Sequence, residues 1–163
     1  RLCAPQFTTA YTARAAPLLA PLLDGALGAE PRGYFCVVVD QNGYAPLHNR
    51  VFSLAPRRDD RAWSAHHCRA RRMLDDEHGL LAARNTLPSL IHTFVEPDRD
   101  GRPLVLKEYA TPLLIQGRHF GALRLALRPA ILGGVVLGVV VALHGIRLPA
   151  EGGEGVTVAW LGL

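Results

Sequence analysis

Histidine and arginine are the side chains in this 163-residue chain whose types and positions could do chemistry. Seven histidines are many for this length, but a metal site would need two or three to converge, as in His-x-x-x-His on one helical face. His66 and His67 fail that test because consecutive helical residues point about 100° apart. No cofactor is therefore predicted, and haem or a divalent metal held by His48, His92 or His119 is the alternative.

Arginines and polar partners are expected where strands and helices meet. Two or three guanidinium groups around an apolar pocket would suit a carboxylate ligand, because a guanidinium fork pairs with both carboxylate oxygens. Arg69 and Arg72 lie three apart, so one helical face could present both. The alternative is that these arginines form salt bridges with Asp75, Asp76 and Glu77. The predicted ligand-binding residues are His48, Asn49, Arg50, Arg69, Arg72, Arg84, Asn85, His92 and His119.

The remaining composition argues against several function classes. The sequence has no nucleophile elbow, Ser-His-Asp order, phosphate-binding Gly-rich loop or paired carboxylates, so we predict a protein that is not an enzyme. Cys3, Cys36 and Cys68 lack CxxC spacing, which disfavours a disulfide framework, a zinc site and c-type haem. The net charge of +4 comes from scattered arginines, with Lys107 the only lysine, and nucleic acid is not a predicted partner.

Two helical regions are predicted. Apolar residues at helical spacing predict a helix over residues 5–28, kinked or restarted at Pro17 and Pro21. The charged segment 56–85 predicts two short helices that are broken near residues 75–79.

The other elements are strands, predicted over residues 34–39, 44–48, 90–95, 107–115 and 120–127. Turns are predicted at Asn42-Gly43, Asp100-Gly101 and Gln116-Gly117. This order predicts an α+β fold, with a five-stranded antiparallel sheet and flanking helices.

A hydrophobic, Gly-rich tail is predicted to follow the sheet. Residues 1–128 would form one domain and residues 129–163 the tail. The stretch 129–146, "PAILGGVVLGVVVALHGI", has His144 as its only ionisable residue and is at the lower limit of a membrane-spanning length. A Gly-rich pair of buried strands or a poorly folded tail is the alternative.

Three stretches together resemble a sensory domain of bacterial methyl-accepting chemotaxis proteins: "VVDQNGYAPLHNR", "RMLDDEHGLLAARNTLPSLIHTF" and "ATPLLIQGRHFGALRLAL". The resemblance covers roughly residues 10–127. Such domains are similar to PAS and Cache modules, whose five-stranded sheet and flanking helices hold a ligand or cofactor. The matching positions are Asp40, Asn42, Gly43, Tyr44, Pro46, His48, Asn49, Arg69, Arg72, Asp75, Asp76, Arg84, Asn85, Thr86, Pro88, Thr93, Pro112, Gly117, His119 and Gly121. The departures from the family pattern are Leu47, Cys68, His92 and Phe120.

The resemblance implies a non-enzymatic sensory domain that binds a small molecule and signals to the methyl-accepting module of a chemotaxis receptor, as a homodimer. The alternatives are a haem- or metal-dependent redox or energy sensor and a ligand-free protein-interaction module. The predicted location is the cytoplasm. If the tail spans the membrane, the alternative is an extracytoplasmic sensor domain of an inner-membrane receptor.

Overall fold

The computed structural model describes residues 5–98 and 100–129, together with the backbone of two short paired strands, Arg147–Leu148 and Val156–Thr157. Residues 5–98 and 100–129 contain three α-helices: α1 Thr12–Gly28, α2 Arg61–His67 and α3 Glu77–Ala83. They also contain the six strands β1 Gly33–Asp40, β2 Tyr44–Ala45, β3 Arg72–Met73, β4 Leu90–Pro97, β5 Pro103–Ile115 and β6 Arg118–Leu127.

The main sheet is antiparallel and has the strand order β1-β6-β5-β4. The turn between β5 and β6 has positive φ angles at Gln116 (50°) and Gly117 (73°), as a two-residue hairpin turn requires. Gly101, with φ of 77°, lies in the turn between β4 and β5, where the N–H of Gly101 donates to the carbonyl of Asp98. The predicted α+β class and these two turns are confirmed.

The main sheet has four strands among the described residues, not the predicted five. The predicted return strand 44–48 contributes only Tyr44–Ala45, which pairs with β3 instead. The side chain of Asp40 accepts the N–H groups of Asn42 and Tyr44, which turns the chain away from β1. Further along the chain, His48 contacts β1 again through a single isolated β-bridge with Val37.

The helices also differ from their predicted form. α1 is continuous although it contains Pro17 and Pro21. Both prolines are exposed on the same outer side, so the carbonyl groups that lose a helical partner can be hydrated. In the charged segment, β3 separates α2 from α3. Arg69 follows α2 and Arg72 belongs to β3, so the predicted shared helical face is wrong.

The two faces of the main sheet are covered differently. On the outer face, Leu23 and Ala26 of α1 pack against Cys36, Val38 and Leu125 of β1 and β6. On the inner face, the segment between β1 and β4 packs over a second apolar cluster. The residues of that cluster are Tyr34, Phe35, Val37, Val39, Ala45, Phe52, Ala83, Leu106, Ala122 and Ala126. The inner face is therefore covered by short helices, short strands and the loops between them, and a pocket lies between this cover and the sheet.

Gly121 lies opposite Asp40 in the antiparallel pair of β6 and β1. A glycine is required here, since a Cβ at this position would overlap the carbonyl oxygen of Val39. We expect Gly121→Ala to destabilise the fold by roughly 1–3 kcal/mol through overpacking. The matched control is Gly25→Ala on the exposed side of α1, where the new Cβ meets open space. It should stabilise the helix by up to about 1 kcal/mol. Chemical denaturation measures the free energy of unfolding of both variants. A change of the same sign in both would contradict the steric explanation for Gly121.

None of the described helices is long and apolar enough to cross a membrane. The predicted span at 129–146 lies outside the described residues apart from Pro129, and it stays a prediction.

Candidate functional site

A pocket of about 520 Å³ lies on the inner face of the sheet, over β4 and β6 and beside the start of α3. Its volume is within the range of small-molecule sites. The lining residues are Phe35, His48, Arg69, Leu74, Asp76, His78, His92, Thr93, Phe94, Val95, Glu96 and Arg124. Three of the nine predicted binding residues, His48, Arg69 and His92, thus come together in one place.

Strand β4 positions much of this lining by its alternation. Side chains in a strand point alternately to opposite faces. His92, Phe94 and Glu96 are half-buried on the inner face, whereas Ile91 and Val95 are exposed. The two-residue period of the strand, which is visible in the burial of its side chains, therefore sets which side chains of β4 can meet a ligand.

A buried ion pair forms the floor beneath the pocket. Glu108 of β5 is fully buried and Arg124 of β6 is 6% exposed. Arg124 donates from Nε to Oε1 of Glu108 over 2.8 Å and from Nη2 to Oε2 over 2.9 Å. This two-bond geometry satisfies both carboxylate oxygens, as burial of the charge requires.

His92 lies beside this ion pair. It is directly opposite Glu108 in the β4–β5 register, with 3.8 Å between His92 Nε2 and Glu108 Oε1. Burial lowers the pKa of His92, and the positive charge of Arg124 adds to this, although Glu108 opposes it. The ring is therefore neutral at pH 7 and the 3.8 Å contact is not an ion pair. Neither ring nitrogen has a hydrogen-bond partner among the described residues.

The ring of His48 is buried and is fixed by its neighbour. The N–H of Asn49 donates to the carbonyl of Cys36 over 3.1 Å, and Asn49 Oδ1 lies 2.7 Å from His48 Nδ1. The N–H of Asn49 also lies 3.1 Å from Nδ1, but it has the carbonyl of Cys36 as an acceptor, whereas Asn49 Oδ1 can only accept and is closer to Nδ1. We therefore assign the ring proton to Nδ1, which donates to Oδ1 and leaves Nε2 as an acceptor. Burial lowers the pKa of His48 to about 3, with the charge of Arg69 contributing. His48 is thus a neutral acceptor at the pocket.

The two guanidinium groups that line the pocket already hold carboxylates. Arg69 donates to Glu96 over 3.0 and 3.3 Å, and its guanidinium lies 4.4 Å from the ring centre of Phe52. Arg124 holds Glu108, as described above. Salt bridges had been the alternative to ligand binding, but the partners of these two arginines are glutamates on β4 and β5 instead of the predicted residues 75–77.

The other six predicted binding residues lie outside the pocket lining, and the first three hold the chain around His48 and α2. Asn49 is buried and also accepts from the N–H of Cys36. Arg50 is exposed, and its backbone N–H donates to Asp24. The guanidinium of Arg72 donates to the carbonyl groups of Ala65 and Ser64.

The last three lie near the ends of elements. Arg84 is exposed and donates to the carbonyl of Gln41. Asn85 closes a turn with the backbone of Leu87. His119, expected in a turn, is the second residue of β6. The side chains of Arg84 and Asn85 thus hold the chain, which makes them weaker candidates for ligand binding, and His119, whose Nε2 is buried without a partner among the described residues, lies outside the pocket lining.

Sequence reasoning missed the acidic partners and the aromatic walls of the pocket. Glu96, Glu108 and Phe94 all occupy inward positions of their strands, and two of the three are charged. A charged residue at an inward position was the available signal. This signal could not identify which arginine pairs with which glutamate, because that depends on how the strands align in the sheet.

The described part of the chain contains no group of three or more side chains able to hold a metal ion. No protein-family model, curated protein or solved structure matches the chain. The pocket and the resemblance in three sequence stretches are therefore the grounds for a functional proposal.

Proposed function

We propose that this chain is a non-enzymatic sensory domain that binds a small molecule in the pocket and signals to the methyl-accepting module of a chemotaxis receptor. The pocket is the observation that supports this most directly. It brings together His48, Arg69 and His92, three of the residues predicted from the sequence to bind a ligand. The PAS/Cache-like character of the domain belongs to the same proposal, supported by the resemblance and by the α+β sheet.

The packing around β6 suggests how binding would reach the rest of the molecule. Arg124 lines the pocket from the inner face of β6, and its neighbour Leu125 contacts the α1 side of the sheet. A ligand that binds one arrangement of β6 and α1 better than another would shift the population between them. The receptor's signalling module and a second copy of the chain are the proposed partners, in the cytoplasm.

Ligand binding is tested by thermal unfolding of the full chain with a panel of small molecules, including haem and divalent metals. A ligand at a hundred times its dissociation constant adds about 2.7 kcal/mol to the free energy of unfolding. For a domain of this size the midpoint should rise by at least several degrees. We expect His92→Ala to abolish the rise, because His92 lines the pocket with two unpaired ring nitrogens.

The matched control is Arg50→Ala, which removes another predicted binding residue that is exposed and outside the lining. It should respond like the unsubstituted chain. If both variants lose the rise in the unfolding midpoint equally, the result counts against a small-molecule sensor and favours the interaction module. The same holds if the folded chain responds to no compound. A rise with haem and a new absorbance band would favour the redox sensor.

A further inference from the structure

The charges at the pocket restrict which small molecules it can hold. Arg69 and Arg124 are paired with Glu96 and Glu108, and Asp76 adds a third carboxylate to the lining. With the histidines counted as neutral, these five groups carry a formal charge of −1. Each guanidinium already holds a glutamate through two hydrogen bonds, so both positive charges are compensated and a carboxylate ligand would add a further negative charge to a lining that has no unpaired positive one.

The unused hydrogen-bonding groups at the pocket are of both kinds. Acceptors are Nε2 of His48 and one ring nitrogen of His92. Donors are the other ring nitrogen of His92 and Nη1 of Arg124, since Nε and Nη2 of Arg124 go to Glu108. A ligand that carries a donor next to an acceptor could satisfy these groups without bringing a charge.

The walls of the pocket favour a flat ring. The imidazole rings of His78 and His92 are stacked with an interplanar angle of 10° and 5.6 Å between their centres. Phe94 lies 5.5 Å from the ring centre of His92, and Phe35 lies 5.2 Å from that of His48. These rings thus pack against one another in the wall of the pocket. The faces and edges that they turn to the pocket can contact a further aromatic ring.

We infer that the pocket selects an uncharged, planar nitrogen heterocycle that carries both a hydrogen-bond donor and an acceptor, as nucleobases do, and discriminates against organic anions. This inference rests on the proposed small-molecule function and specifies its ligand class. It differs from the carboxylate predicted from the arginines alone, because the structure pairs both lining arginines with glutamates.

Calorimetric titration of the full chain at pH 7.5 tests the inference with a matched pair of probes. Nicotinamide and nicotinate share one ring and differ in a neutral carboxamide against a carboxylate. Adenine and uracil extend the neutral set, and malate extends the anions. We expect at least one neutral probe to bind, and every anion to bind at least tenfold more weakly than that probe.

A charge variant makes the test sharper. Glu96→Gln keeps the side-chain volume but releases Arg69 from its ion pair, so nicotinate should gain at least tenfold in affinity relative to nicotinamide. The control is Glu77→Gln, an exposed carboxylate in the first turn of α3 that does not line the pocket. It should leave the ratio unchanged.

The outcomes separate the two proposals. If an anion binds the unsubstituted chain more tightly than the neutral probes, the ligand class is wrong while the sensory function stands. If the Glu96→Gln and Glu77→Gln variants change the ratio equally, the charge explanation is wrong. If no probe of either charge binds the folded chain, both the ligand class and the small-molecule function are overturned.

Discussion

Glu108→Leu is expected to destabilise the fold by about 3–5 kcal/mol, the largest effect of any single substitution that we consider here. Glu108 is fully buried and holds Arg124 through two hydrogen bonds of 2.8 and 2.9 Å. Removing the carboxylate leaves a guanidinium charge that is 6% exposed without its partner. The loss should appear in urea unfolding as a lower midpoint with an unchanged slope.

The double variant Glu108→Leu with Arg124→Met is expected to recover most of this stability. It removes both charges and leaves apolar side chains of similar length, a change that is often neutral or stabilising in buried ion pairs. The coupling free energy from the double-mutant cycle should therefore be large. A double variant as unstable as Glu108→Leu alone would show that packing, and not the unpaired charge, explains the loss.

Glu96→Leu is the matched control for burial. Its ion pair with Arg69 has a similar distance of 3.0 Å, but both side chains are nearly a fifth exposed. Water can reach the remaining guanidinium, so the cost should be about 1 kcal/mol. Equal costs at the two glutamates would contradict the role given to burial.

Acid is expected to destabilise the chain through His48 before the carboxylates are protonated. The pKa of His48 is lowered from 6.5 to about 3 by burial, so the folded chain resists a proton that the unfolded chain accepts. The contribution of His48 to stability is thus complete above pH 6.5 and is lost as the pH falls towards 3. Between pH 6.5 and pH 5 the loss amounts to about 2 kcal/mol.

The His48→Gln variant tests this linkage. Glutamine can still donate to Asn49 Oδ1 but does not titrate, so the variant should lose about 2 kcal/mol less than the unsubstituted chain over the same pH interval. Urea unfolding at pH 8, 6.5 and 5 measures it, and the pH 8 value accounts for any constant cost of the substitution. Because the pKa of His92 is also lowered, the free energy of unfolding of the variant should still depend on pH, but less steeply. Identical slopes in both proteins would contradict the buried neutral His48.

Local sequence determined much of the fold. The long strands β4, β5 and β6 follow from apolar runs bounded by turn residues, and the turns at Gln116-Gly117 and Gly101 follow from residues that can adopt positive φ angles. The strand pairing of residues 44–48 could not be predicted in this way. Their apolar residues are consistent with a strand in the main sheet, but the N–H groups of Asn42 and Tyr44 donate to the side chain of Asp40, which directs the chain to β3 instead.

The candidate site divides in the same way. The sequence by itself placed His48 and His92 in predicted strands and Arg69 in a predicted helical segment, and the structure places these three in one pocket. Only the tertiary structure decided that Glu96 and Glu108 hold the lining arginines, and that His48 and His92 are neutral. The reason is physical: ion pairing and pKa depend on burial and on distances across strands, which residue types and spacing along the chain do not specify.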